Sequence, residues 1–209
     1  MGHYSIESIR KLVKHDLVRG LPLSKVNDLS FCDACAKGKL SKSSFKSKEM
    51  ISTSKPLELI HMDLFGPINV PSLSRKKYVF VIVDDFSRYT LTIFLQHKEE
   101  TFENFEVFAT RVENEKGLKI KTIRSDNGGE FVNSRFVELC NKNGYRHEFS
   151  TPRTPQQNGV VERKNRTLQE MARSMLHEFS LPKLLWAETV NTACYIINRV
   201  RPIAKKNPL

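Results

Sequence analysis

Four cysteines in 209 residues are too few to frame a chain of this size with disulfides. Cys32 and Cys35 form a C-x-x-C pair, while Cys140 (FVELC) and Cys194 (NTACYII) fall on apolar helical patterns, where cysteine behaves as a small hydrophobe. An intracellular, reducing setting is therefore expected. No apolar run approaches the ~18 residues that mark a membrane span, so no membrane partner is expected. The N-terminus, MGHYSIESIRKL, lacks the apolar core of a signal peptide, and Ile6 stands where a myristoylation pattern after Gly2 needs Ser or Thr. No internal repeat is visible. Acid is scarce relative to base: 23 Asp and Glu against 34 Lys and Arg, a formal charge of +11. Such a surplus suits a polyanionic partner, because each Lys or Arg on a phosphate releases counterions. A merely soluble basic surface would carry the same charge. What remains is ordinary globular composition, 39% hydrophobic and 27% charged, with length for one core and a small appendage.

Hydrophobic periodicity orders the chain. A short helix is predicted over residues 5–15, with Ser5 as N-cap and Ile6, Ile9, Leu12 and Val13 at helical spacing. The Ser- and Lys-rich segment SFCDACAKGKLSKSSFKSKE cannot bury a large core and would need a metal staple. A polar linker over 51–56 leads to strands predicted at 57–64, 78–84 (YVFVIVD, apolar enough to be buried on both faces) and 89–95. The short DDFSR connection makes the last two a hairpin. A helix over 99–116 would turn Phe102, Phe105, Val107, Phe108 and Val112 mostly to one face and stop at Gly117. A strand over 119–125 follows. Next comes a helix over 133–143 with Phe136, Val137, Leu139 and Cys140 inward, ended by Gly144, and then a strand over 145–149. STPRTPQQNG, 150–159, reads as a mobile loop. A long helix, about 160–179, carries Val161, Leu168, Met171, Ala172, Met175, Leu176 and Phe179 as its buried stripe. The last helix, 183–200, buries Leu185, Trp186, Val190, Ala193, Cys194 and Ile197. Three antiparallel strands followed by alternating helices and strands argue for an α/β fold with a mixed sheet flanked by helices.

Three acids stand out. Asp63 follows one apolar run, Asp126 follows another and precedes the Asn127-Gly128-Gly129 turn, and Glu162 opens the long helix after thirty-five intervening residues. If the first and fourth strands pair, Asp63 and Asp126 share one sheet edge. Converging carboxylates repel unless a cation neutralises them, and oxygen ligands favour Mg²⁺ or Mn²⁺. From the acids alone, ordinary charges at strand ends and a helix start are the favoured account of the pattern. On the long helix Glu162, Asn165, Arg166, Gln169 and Arg173 fall on one face, opposite the apolar stripe. That face could grip a phosphate backbone or simply be solvated.

SDNGGEF, the thirty-five-residue interval and PQQNGVVERKN closely resemble the catalytic core of retroviral and retrotransposon integrases. HMDLFGP and DDFSRYT stand where that family has them. GLP…C-x-x-C-x-x-GK and LP…LWAE…TA…Y-x-x-NR resemble the copia class of LTR retrotransposons. The resemblance spans essentially the whole chain. It implies an RNase H-like fold and a catalytic triad of Asp63, Asp126 and Glu162 holding Mg²⁺ or Mn²⁺. It also implies 3′-end processing and strand transfer of element DNA into target DNA by a homo-oligomer, in the nucleus after a cytoplasmic particle stage. Asn158, Asn165, Arg166 and Gln169 are the expected DNA-facing residues. A catalytically inactive nucleic-acid-binding relic, or a nuclease of the same fold, is the alternative.

The resemblance also divides the chain at 52/53. Residues 1–52 would be an H-H-C-C zinc segment and 53–209 the catalytic core, both cut from a longer polyprotein. For Zn²⁺ it supplies His3, Cys32 and Cys35. The first histidine of the family pattern has no counterpart, and His15 is the weak candidate to replace it.

Overall fold

A computed structural model of the chain describes residues 3–15, 17, 32, 34–35, 53–150 and 158–200. Most of the loop expected over 150–159, the lysine-rich stretch 36–50 and the basic tail from 201 lie outside the described residues. In chain order the elements are α1 (Ile6–Lys14), β1 (Leu59–Phe65), β2 (Tyr78–Asp84), β3 (Thr90–Leu95), α2 (Thr101–Lys116), β4 (Thr122–Ser125), α3 (Ser134–Asn143), β5 (Arg146–Phe149), α4 (Gly159–Glu178) and α5 (Trp186–Val200). Two compact units form, Lys48–Asn165 and a second made of Met1–Ser47 with Arg166–Leu209.

The first unit holds a five-stranded sheet in the order β3-β2-β1-β4-β5. β1 with β2 and β2 with β3 run antiparallel, and the DDFSR hairpin is present as expected. β1 with β4 and β4 with β5 run parallel. The apolar run Val79, Phe80, Val81, Ile82 and Val83 is buried throughout, which requires cover on both faces of β2. On one face Ile60, Met62, Phe80, Ile82 and Ile123 meet Phe105 and Ala109 of α2 and Phe136, Leu139 and Cys140 of α3. Phe102, Phe105 and Phe131 each lie 5.3–6.0 Å from Phe136, within the range of favourable ring pairing.

Helix stops follow chemistry that is local in sequence. Gly117 and Gly144 close α2 and α3 in left-handed conformations, φ 62° and 73°, which a Cβ would strain. Ser5 caps α1 by accepting from the Ser8 amide. Two expected inward residues point out: Val107 is 67% and Val137 57% exposed. Each lies well round the helix from the Phe105 or Phe136 that faces the core, so apolar composition overrode helical phase in the expectation. Phe179 falls one residue past α4 and is exposed, and Leu185 sits half-buried in a short 3₁₀ turn before α5. The fourth strand starts at Thr122 rather than 119. Its lead-in Ile120 amide donates instead to the Glu113 carboxylate, 2.9 Å away.

A buried polar knot ties β1 to the end of β2. Asp85 accepts from His61 Nε2 at 3.0 Å, from Arg88 Nη1 at 3.0 Å and from Thr53 Oγ1 at 3.0 Å. Burial keeps the His61 imidazole neutral and its pKa low. Burial alone would raise the Asp85 carboxyl, but the His61 bond, the Arg88 charge and the Thr53 bond outweigh it and hold it at about 2. Asp85→Ala strands two buried donors and the half-buried Arg88, and should destabilise the protein by about 3 kcal/mol, read from urea midpoints near neutral pH. The folded pKa lies below the ordinary 3.8, so this stabilisation is full above that value and lost as pH falls towards 2. The gap between wild type and Asp85→Ala should therefore close on acidification. A gap constant down to about pH 2 would show that the carboxylate charge is not what the knot uses.

Candidate active site

Parallel pairing places His61 of β1 opposite Arg124 of β4. Two residues further along each strand bring Asp63 and Asp126 level, on the same face, at the carboxyl end of the sheet. Asp126 is the first residue beyond β4. Its carboxylate oxygen Oδ1 accepts the Gly128 amide at 3.0 Å, a local turn that holds the side chain back over its own backbone. Asn127 Nδ2 donates to the Ser150 carbonyl at 3.0 Å and ties this turn to the end of β5.

The third acid arrives on α4, and two asparagines aim it. Asn158 is buried just before the helix and donates Nδ2 to the Met62 carbonyl of β1 at 3.3 Å. Asn165, also buried, donates Nδ2 to Asp63 Oδ2 at 2.6 Å. Residues 158, 162 and 165 are spaced by four and three, so they line one stripe of the helix. Both ends of that stripe are fastened to β1 at Met62 and Asp63, and Glu162 lies between them. Asn165 therefore leaves the exposed polar face that helical spacing assigned to it. Glu162, Arg166 and Arg173 are exposed and Gln169 is half-buried. Lys164, which the pattern did not single out, is buried.

The electrostatics report the crowding. The Asp63 carboxyl is pushed up to about 7, first by burial and then by the charge of Asp126, with Glu162 adding to it. Bonds from the Leu64 amide and Asn165 pull the other way and do not win. Two aspartates and a glutamate offer only hard oxygen donors, and a divalent cation would relieve the repulsion that raises Asp63. The donor set therefore fits Mg²⁺ or Mn²⁺. The three carboxylates are not drawn within 4.8 Å of one another. Among the described residues the tight metal-type cluster is instead His3, Cys32 and Cys35.

That cluster belongs to the second unit. His3 Nδ1 lies 3.5 Å from Cys32 Sγ and 3.4 Å from Cys35 Sγ, and its Nε2 lies 2.7 Å from Glu178 Oε2. A carboxylate on the far nitrogen is how ligating histidines are commonly oriented. Glu178 was not singled out from the sequence, and no spacing rule connects it to His3 across 175 positions. His15 closes α1 and is not part of the cluster.

Comparison with known proteins agrees with this architecture. A family model described as integrase core domain matches residues 53–155. A retrovirus-related Pol polyprotein from transposon TNT 1-94 of Nicotiana tabacum is 41% identical over 199 residues, covering 95% of this chain and 15% of the relative. The corresponding polyprotein from transposon RE2 of Arabidopsis thaliana is 35% identical over 201 residues, covering 96% of this chain and 13% of the relative. The chain thus spans a small part of the length of the curated relatives it matches. Among solved structures, the HTLV-2 integrase catalytic core domain in complex with magnesium, in its dimeric form, superposes with TM-score 0.52 at 22% identity, covering 72% of this chain and 92% of that one. The likeness is one of fold: the mixed five-stranded sheet with flanking helices is RNase H-like, as the sequence resemblance implied.

The raised Asp63 pKa sets a stability trend. The folded value of about 7 exceeds the ordinary 3.8, so without metal the folded state loses stability as pH rises through this window. Asp63→Asn removes that ionisation. Relative to wild type, its urea midpoint should rise more at about pH 8 than at about pH 5 in EDTA. An equal offset at both values would mean that Asp63 ionises without opposition.

Proposed function

The chain belongs to the integrase core family of retrotransposon Pol polyproteins, and on that premise we propose that Asp63, Asp126 and Glu162 form its metal-dependent DNA-joining site. The observation that carries this reading is the α4 stripe. Asn158 and Asn165 fasten it to β1 at Met62 and Asp63, which directs Glu162 towards the two aspartates. The proposed reaction has two steps. Water first attacks a phosphodiester near the element end and frees a 3′-hydroxyl. That hydroxyl then attacks a target phosphodiester, forming the new P–O bond and releasing the target strand's own 3′-hydroxyl. Asn165 orients the Asp63 carboxylate, the Gly128 amide orients that of Asp126, and Glu162 acts on Asp63 through its charge. A divalent cation bound by these acids would neutralise them and supply Lewis-acid stabilisation of charge developing at the phosphorus centre.

DNA is the proposed partner, as element ends and as target, with a homo-oligomer as the active species and the nucleus as the place of joining. Of the four residues expected to face DNA, Asn158 and Asn165 have their amide groups on β1. In this reading Arg166 and Gln169 carry the DNA contact, with the +11 charge supplying salt-dependent affinity. His3, Cys32 and Cys35 offer a nitrogen and two sulfurs, a set that suits Zn²⁺, with Glu178 orienting the histidine.

Asp63→Asn, Asp126→Asn and Glu162→Gln should each abolish Mg²⁺-dependent strand transfer with labelled oligonucleotides. Filter-binding affinity for the same DNA should stay within about twofold, since residues acting as one unit fail together. Retention of most activity by any one variant would remove that residue from the triad.

A closed structural zinc site needs four ligands, and three are assembled among the described residues. Zinc should therefore be retained weakly and leave on dialysis, and Glu178→Gln should weaken it about tenfold further. Stoichiometric zinc surviving dialysis would demonstrate a fourth ligand.

A further inference from the structure

β4 ends at Ser125, whose register partner in β5 is Phe149, so Asp126 stands just beyond the ladder. Its main-chain carbonyl accepts the hydroxyl of the fully buried Ser125 at 2.9 Å. That bond uses the one proton the hydroxyl has. Ser125 Oγ therefore turns a lone pair to His147 Nε2, 2.9 Å away, and the imidazole carries its proton on Nε2. The ring is wedged in place, its centroid 5.9 Å from that of Phe136 and 4.1 Å from that of Phe149. Burial pushes the His147 pKa down to about 4, which keeps the ring uncharged near neutral pH. His147 thus donates to Ser125, and Ser125 donates to the backbone of a proposed metal-binding residue. At its other end that residue is held by the Gly128 amide. Core packing alone does not call for this pair. An apolar pair of similar shape would fill the space without the penalty of burying polar groups.

Resting on the integrase reading above, we infer that Ser125 and His147 are positioning residues for the reaction. They form an imidazole-to-hydroxyl relay that fixes the Asp126 main chain and, through it, the direction of its carboxylate. Neither touches the DNA or the metal. Their effect reaches the chemistry through Asp126.

The test compares Ser125→Ala and His147→Leu, which break the relay, with His147→Gln, which keeps an N–H donor at similar reach. Two readouts are taken. One is amide hydrogen exchange at Gly128 in metal-free protein. The other is the Mn²⁺ dissociation constant from water-proton relaxation, with Asp126→Asn as control. Ser125→Ala and His147→Leu should each speed Gly128 exchange and weaken Mn²⁺ about tenfold, in line with other residues that orient a ligand. His147→Gln should restore both. If His147→Leu does not fold, Ser125→Ala, a change of one oxygen, decides. Unchanged exchange and Mn²⁺ affinity in Ser125→Ala would overturn the relay, as would a His147→Gln variant no better than His147→Leu. Wild-type Mn²⁺ binding that ignores Asp126→Asn would instead defeat the proposed metal site, and the metal-free exchange readout would still decide the relay.

Discussion

The parallel register between β1 and β4 is the constraint on which the rest of the site depends. Parallel neighbours end on the same side of a sheet, and residues equally far beyond a matched pair share a face. With His61 opposite Arg124, Asp63 and Asp126 meet those conditions together. A slip of one residue would send one acid to the opposite face and separate them. What prevents the slip is burial. Ile60 and Met62 alternate with His61 and Asp63, and only one phase puts the first two among Phe80, Phe105 and Phe136. The hydrophobic face of β1 thus selects where its acid goes.

Placing three acids together is unfavourable by itself, and the surroundings show how it is sustained. Asp63 bears the strain as a raised pKa, driven by burial and by Asp126 and Glu162. Asn165 offsets part of it with one short bond, and the Gly128 amide bonds Asp126 Oδ1. Two side chains at the start of α4 bond to β1, Asn158 at one end of the stripe and Asn165 at the other. An acid carried on so short and doubly fastened a lever has little freedom to drift. Local conflict held by rigid neighbours is the usual mark of a site selected for chemistry rather than for stability.

The second unit follows a different logic. Its metal-type cluster draws on two cysteines three apart and a histidine far away in the chain, with Glu178 behind the histidine. Soft donors gathered in this way differ in kind from the oxygen-only set at the sheet edge, so the two sites would take different ions. One would staple a segment that is poor in apolar residues. The other would serve reaction chemistry.

Much of this was legible in the sequence, because the relevant signals are local. Periods of two and of about 3.6 residues mark strands and helices, and glycines at 117 and 144 stop helices wherever they occur. The DDFSR connection is too short for anything but a hairpin, and the acids with their neighbouring motifs point to one family. Period, however, describes an element relative to itself. It does not say which neighbour each face meets. That is why Val107 and Val137 turn outward and why Asn165 turns inward to Asp63. The partnerships of His147 with Ser125, of His61 with Asp85 and of Glu178 with His3 join residues 22, 24 and 175 positions apart. Contacts across such separations leave no mark on local patterning. They exist only once the sheet order and the strand register are set, and those are decided by the burial of the whole chain at once.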